Sequence, residues 1–316
     1  MRKDNEGGIF KMAGVAFIFA GQGSQYVSMG KDLFDGNETV HRIYEAMTGS
    51  AEEEIKISFN GPEEELKRTK NTQVALYVEE IAIANALLEK GIKPDALAGF
   101  SLGEVSALSF SGAFDMMDGL GIVKARASAM EDATRERKSI MDAVLRLPDE
   151  KVEDIASSFI EAYPVNYNAP GQVVVALREE DGEKFEAEVT EAGGMTMRLN
   201  VAGGFHSPFM KSASEKFEKE LGNFKAGETV LPVYANLTGR VYPGNVKDML
   251  VKQMVNPVRW TDTVRNMIGD GIDTFVEIGP GRTLSSLVKR IDRSVKTLNV
   301  SDTESFDRVL SSLGGV

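Results

Sequence analysis

With 316 residues, 42% of them apolar and 27% charged, the chain has the make-up of a soluble globular protein, long enough for one large domain carrying a smaller insertion. A cysteine count of 0 excludes disulfides, thiolate metal sites and a cysteine nucleophile, and a net charge of -12 argues against nucleic-acid binding, which needs a basic surface. Residues 1–12 form a charged tail with no signal-peptide apolar core and with Met12 as an alternative start, and the first apolar run, 15–20, is too short to span a bilayer.

The run Val15-Ala16-Phe17-Ile18-Phe19-Ala20 predicts a buried strand entering Gly21-Gln22-Gly23-Ser24-Gln25. A dinucleotide fingerprint would need its third glycine where Tyr26 stands, so NAD binding is rejected. Helices are expected around 39–48, 62–68 and 73–90. In the first, Val40, Ile43, Tyr44 and Met47 make an apolar stripe with His41 on its flank, a partly exposed helix histidine. The acidic runs Glu52-Glu53-Glu54 and Glu63-Glu64-Glu65 are solvated helix faces.

Ala96, Leu97 and Ala98 then predict a short strand, and Glu104 to Phe110 a helix, on either side of Gly99-Phe100-Ser101-Leu102-Gly103. In that strand–turn–helix setting a G-x-S-x-G segment is a candidate nucleophile elbow. The turn leaves no room for side chains beside the serine, hence the glycines. The serine oxygen projects from the sheet at the positive end of the helix, where backbone N–H groups can stabilise an oxyanion. An ordinary Gly-rich turn would carry the same letters. A serine nucleophile needs a base, and the chain has 2 histidines, His41 and His206. His206 lies in Ala202-Gly203-Gly204-Phe205-His206-Ser207-Pro208, a glycine-freed loop whose Ser-Pro can start the next helix. If Ser101 is the nucleophile, His206 is its base.

A helix over 115–133 has Met116, Leu120, Val123, Ala127 and Met130 on its core face. Arg126 sits on the flank of that face, which predicts a partly buried head. Such a guanidinium needs an anion, and its planar fork suits a carboxylate, supplied either by the chain or by a ligand. Over 139–200 the pattern becomes strand 139–147, helix 149–160, strands 165–168 and 172–176 across Ala169-Pro170-Gly171, helix 179–192 and strand 195–200. That order, βαββαβ, is the ferredoxin-like arrangement. Strands at 230–235 and 274–278 follow, the second running through Gly279-Pro280-Gly281 into a closing helix.

Taken in order, Gly21-Gln22-Gly23-Ser24-Gln25, Gly99-Phe100-Ser101-Leu102-Gly103-Glu104, Val165 to Val173, Phe205-His206-Ser207, Asn256-Pro257-Val258-Arg259-Trp260 and Glu277-Ile278-Gly279-Pro280-Gly281 resemble the malonyl-CoA:acyl carrier protein transacylases. These are acyltransferases of fatty-acid and polyketide synthesis. The resemblance implies an α/β fold: an α/β-hydrolase-like core at 1–134 and 203–316, with an inserted ferredoxin-like βαββαβ subdomain at 135–202. It makes Ser101 the nucleophile and His206 its base, with the backbone N–H groups of Gln22 and Leu102 as oxyanion donors. The main-chain carbonyl of Gln253 would orient the histidine. Asn166 and Asn168 would lie near the cleft, and Arg126 would bind the malonyl carboxylate. Phe205 would fill the space an α-methyl branch needs, although a ring that only packs its loop would look the same. The chain departs from the family at Phe100, usually histidine, and at Arg135-Glu136-Arg137-Lys138, usually glycine-rich. Those cations are either a solvated turn or an attraction for a phosphorylated substrate or acidic carrier.

The implied activity is that of an [acyl-carrier-protein] S-malonyltransferase of fatty-acid elongation, working through a malonyl-Ser101 ester. It implies a cytoplasmic monomer whose partners are malonyl-CoA and acyl carrier protein, with no cofactor, metal, nucleic acid or membrane. A polyketide acyltransferase, a serine thioesterase or esterase, and a non-catalytic binding protein are the alternatives. A hydrolase would give Arg126 no purpose, and a relic site would not be expected to keep Ser101, His206, Gln22 and Arg126 together.

Overall fold

The computed structural model describes residues 14–315, so the tail expected at 1–12 lies outside the described residues. Strand β1 (Gly14–Phe19) is buried along nearly all its length, as an unbroken apolar run requires of a strand covered on both faces. Helices α1 (Lys31–Gly36), α2 (Glu38–Asn60), α3 (Glu63–Leu66) and α4 (Thr69–Glu89) follow. Asn37 caps α2, its Oδ1 accepting from the Thr39 and Val40 amides at 3.0 and 3.1 Å. That helix outruns the expected 39–48 segment. It bends at Ala51 (φ -130°, ψ 24°) and continues, because Ile55 and Ile57 give its second half a buried side while Glu52 and Glu53 face water. Helix α4 is buried on almost every face and forms the centre of the helical layer.

Strand β2 (Ala96–Gly99) leads into α5 (Gly103–Phe110) and α6 (Met116–Glu136). A second sheet then forms from β3 (Ser139–Leu145), β4 (Ala162–Ala169), β5 (Gln172–Arg178) and β6 (Met195–Arg198), with α7 (Asp149–Ser157) and α8 (Gly182–Glu191) between them. Its antiparallel order is β4-β5-β3-β6, the ferredoxin-like pattern, over a core of its own that includes Val152, Val173, Val175, Phe185 and Val189. The expected boundaries shift at the ends. The first strand stops at Leu145, where Arg146 turns to φ 69°, and α7 stops at Ser157. Strand β4 begins at Ala162, β6 ends at Arg198, and Glu179–Asp181 is a 3-10 turn ahead of α8.

The chain returns through α9 (Lys211–Leu221), β7 (Val233–Tyr234), α10 (Val246–Gln253), α11 (Trp260–Gly269), β8 (Ile272–Ile278), α12 (Thr283–Ile291), β9 (Lys296–Val300) and α13 (Thr303–Leu313). The five-stranded sheet is all parallel, in the order β7-β2-β1-β8-β9. Two expectations are corrected here. The 230–235 strand shrinks to an edge pair, and the helix after 279–281 is not the last, since β9 and α13 still follow. The carboxyl ends of β1 and β2 lie side by side, which is where open parallel sheets place their sites. None of the helices among the described residues is long and apolar enough to cross a membrane.

Candidate active site

Sterics at the 99–103 turn explain its glycines. A Cβ on Gly99 would overlap the Gly103 carbonyl, and one on Gly103 would stand 2.6 Å from the Ala20 carbonyl oxygen. Between them Ser101 takes φ 55°, a left-handed conformation that costs a non-glycine residue energy. Two side chains hold it there. Asn236 accepts the Ser101 N–H at 2.8 Å through Oδ1 and donates from Nδ2 to the Gly99 carbonyl at 2.6 Å. Gln253 Nε2 donates to the Ser101 carbonyl at 2.8 Å.

Ser101 Oγ lies 2.7 Å from His206 Nε2. His206 Nδ1 is 2.9 Å from the Gln253 main-chain carbonyl, which can only accept, so Nδ1 carries the proton and Nε2 is free to take one from serine. The histidine itself has φ 59°, in a loop pinned by the Gly204 N–H on Ser139 Oγ at 2.8 Å. Burial and the nearby Arg126 charge push its pKa down to about 3, against the opposing pull of the Gln253 carbonyl. The ring is therefore neutral, as a general base must be. His41 is exposed, stacks on Phe34 at 4.3 Å and takes no part.

Arg126 is fully buried, not partly, because α6 is covered by α4 on one side and α9 on another. Its Nη1 donates to Gln73 Oε1 at 2.8 Å, and its Nη2 to Gln253 Oε1 at 2.9 Å and to Ser101 Oγ at 3.2 Å. Every one of these acceptors is neutral, and Nε has no partner. Burial lowers its pKa to about 10, partly offset by the charge of Glu104, so it is a cation at neutral pH. Gln253 thus serves the site three times, by its carbonyl on His206, its amide nitrogen on Ser101 and its amide oxygen on Arg126.

A cavity of about 240 Å³ opens onto Ser101 and His206, lined also by Gln22, Asn166, Asn168 and Phe205, with Arg126 buried behind the serine. Asn168 Oδ1 is buried without a partner. The small sheet is tied to the site where the Tyr167 N–H meets the Val258 carbonyl at 3.0 Å, next to Asn166. Gln22 and Leu102 come from opposite sides of one contact: the 21–25 loop lies so close to the elbow that a Cβ on Gly21 would be 2.7 Å from the Phe100 carbonyl oxygen. Phe100 packs edge-on against Trp260 at 5.6 Å, and the Trp260 Nε1–H has no partner. Arg135 pairs with Glu131 at 2.9 Å and Arg137 with Glu161 at 2.5 Å, so these cations of the 135–138 turn are engaged within the chain.

Sequence reasoning missed Asn236, Gln73, Glu104 and the side-chain role of Gln253. A glutamate on the inward first turn of the elbow helix was a usable signal for Glu104. Asn236 follows a two-residue edge strand and carried none.

The Acyl transferase domain model matches residues 16–308. A malonyl CoA-acyl carrier protein transacylase of Bacillus subtilis is 34% identical over 311 residues, 96% of this chain and 98% of the relative. Among solved structures, a malonyl CoA-acyl carrier protein transacylase from Clostridium perfringens aligns with TM-score 0.92 at 37% identity, covering 96% of this chain and 98% of that one. A malonyl-transacylase in complex with its type II PKS acyl-carrier protein aligns with TM-score 0.91 at 33% identity, covering 95% and 100%.

Proposed function

We propose, from the premise that the chain belongs to the acyl transferase domain family, that it transfers a malonyl group from malonyl-CoA to the phosphopantetheine thiol of an acyl carrier protein. One observation carries the choice of malonyl: a buried cation without a carboxylate partner lies 3.2 Å from the serine oxygen. In a malonyl thioester one methylene separates the carboxylate from the reacting carbon. A guanidinium beside the nucleophile therefore meets the far end of that group while serine meets the near end, and a charge-assisted pair holds it in line.

Ser101 Oγ attacks the thioester carbon as His206 Nε2 takes its proton, and the oxyanion is received by the Gln22 and Leu102 N–H groups. The C–S bond breaks, the CoA sulfur takes the proton back from His206, and malonyl remains as an ester on Ser101. In the second half-reaction the carrier's thiol gives its proton to His206 and attacks the ester, and Ser101 Oγ leaves with that proton. Phe205, buried beside His206 at the cavity wall, excludes an α-branch. We assign Asn166 and Asn168 to the acyl and pantetheine side of the cleft, on a subdomain spanning 135–202 inserted into a catalytic domain of 1–134 and 203–316. The separate apolar core of the small sheet supports that division. Fatty-acid elongation in the cytoplasm is the assigned setting.

The hydrolase alternative is tested at the second step. Malonyl-enzyme should hydrolyse slowly alone and discharge quickly when a pantetheinylated carrier protein is added. Rapid release of malonate that no carrier accelerates would make the protein a hydrolase.

A further inference from the structure

Behind the Ser101–His206 pair a row of polar groups runs from Arg126 and Gln253 to Glu104 and Tyr242, and the last two have no part in the acyl transfer described above. Glu104, on the first turn of α5, is 1% exposed. Its Oε1 accepts from the Tyr242 hydroxyl and, at 3.3 Å, from the Asn236 N–H. Its Oε2 accepts from Gln253 Nε2 at 2.7 Å, and Gln253 Oε1 in turn accepts from Arg126 Nη2 at 2.9 Å. The amide of Gln253 has one workable orientation, since turning it over would set NH₂ against a guanidinium and oxygen against a carboxylate. Arg126 and Glu104 are therefore a buried cation and a buried anion joined through one neutral amide. Among the described residues, the charged and titratable groups that act on Glu104 are Arg126 of α6 and Tyr242 of the segment after β7.

With Glu104 ionised, this interior holds one charge of each sign when empty. A malonyl carboxylate paired with Arg126 would leave two anions sharing one cation away from water, an arrangement that drives one of them to take a proton. The substrate carboxylate would hold the direct guanidinium contact, whereas Glu104 reaches Arg126 only through Gln253. We propose that Glu104 is the counter-charge to the substrate: the fraction ionised in the empty enzyme takes up a proton from solvent when the malonyl carboxylate pairs with Arg126. This rests on the reading of Arg126 as the carboxylate's partner. Burial already pushes Glu104 up to about 7, and the Arg126 charge is among the influences holding it down, so a substrate that occupies that charge moves it upward. The protonated form keeps its bonds, because the Tyr242 hydroxyl can accept from it as well as donate. Acyl transfer adds no net proton of its own near neutrality: the Ser101 proton ends on the CoA thiol, whose ordinary pKa lies near that of a cysteine, about 8.5.

The test mixes malonyl-CoA with wild-type enzyme and with E104Q at pH 7, in weak buffer with a pH-indicator dye, and weighs the protein from the same samples. Wild type should take up about half a proton per malonyl-Ser101 formed, less as the starting pH is lowered toward 5. E104Q should acylate without uptake, and acetyl-CoA should cause none in wild type. If E104Q fails to fold, Y242F replaces it. Losing a donor to the ionised carboxylate starts Glu104 more protonated, so the pH of maximal uptake should move upward. Full acylation of wild type without uptake, equal uptake in E104Q, or no shift in Y242F overturns the proposal and leaves malonyl transfer standing. Absence of any malonyl adduct in wild type would overturn the malonyl reading as well.

Discussion

Arg126 Nη2 and Ser101 Oγ stand 3.2 Å apart, so the cation that would receive the far end of the substrate touches the oxygen that attacks its near end. Gln73 and Gln253 fix the guanidinium from behind with neutral oxygens, so no carboxylate of the chain bonds it directly. That arrangement supports the proposed selectivity for an acyl group carrying its own carboxylate.

Replacing Arg126 with alanine should therefore separate two substrates. A hydrogen bond to a charged group is worth about 1.5–3 kcal/mol, roughly 10- to 160-fold in rate, and kcat/KM for malonyl transfer should fall by at least that much. Acetyl transfer, which has no carboxylate to lose, should persist or improve. Steady-state kinetics with both thioesters decide it, and an equal loss for the two would make Arg126 a structural residue.

Asn236→Ala should damage the elbow without touching the substrate. It strands the Ser101 N–H and the Gly99 carbonyl, and a buried group left without its partner costs about 1–3 kcal/mol. Urea unfolding should show the loss of stability, and kcat should fall together with it because Ser101 loses a restraint on its φ of 55°. Unchanged stability would show that the elbow holds its shape unaided.

The pH dependence of folding has a predictable sign at His206. Its pKa falls from 6.5 to about 3 on folding, so between those values the unfolded chain binds a proton that the folded chain refuses. Its contribution to stability is present above about 6.5 and is lost as pH falls through that window. Glu104 acts oppositely: raised from 4.5 to about 7, it costs stability as pH rises through its own range. Urea titrations of wild type and His206→Gln across the acid range should show wild type losing more stability than the variant, and parallel curves would contradict the assignment.

Much of this was legible because the chemistry sits in local patterns. The G-x-S-x-G turn, the βαββαβ alternation and the shortage of histidines each depend on a few neighbouring residues. What stayed hidden depends on packing between distant segments. Arg126 on the flank of an apolar stripe reads as partly buried, and only the approach of α4 and α9 buries it completely. The Asn236 brace joins residues 135 positions apart in the chain, and no periodicity could announce it. Strand β9 has only Asn299 and Val300 fully buried, too short a signal to distinguish it from a loop.

The most direct test of the central claim is the intact mass of the protein after mixing with malonyl-CoA. The arrangement of Ser101 Oγ at 2.7 Å from His206 Nε2 predicts one added malonyl group, mapped by peptide analysis to Ser101. The adduct should be absent from Ser101→Ala, slow to form in His206→Ala and normal in His41→Ala. A malonyl adduct that persists on Ser101→Ala would contradict the account.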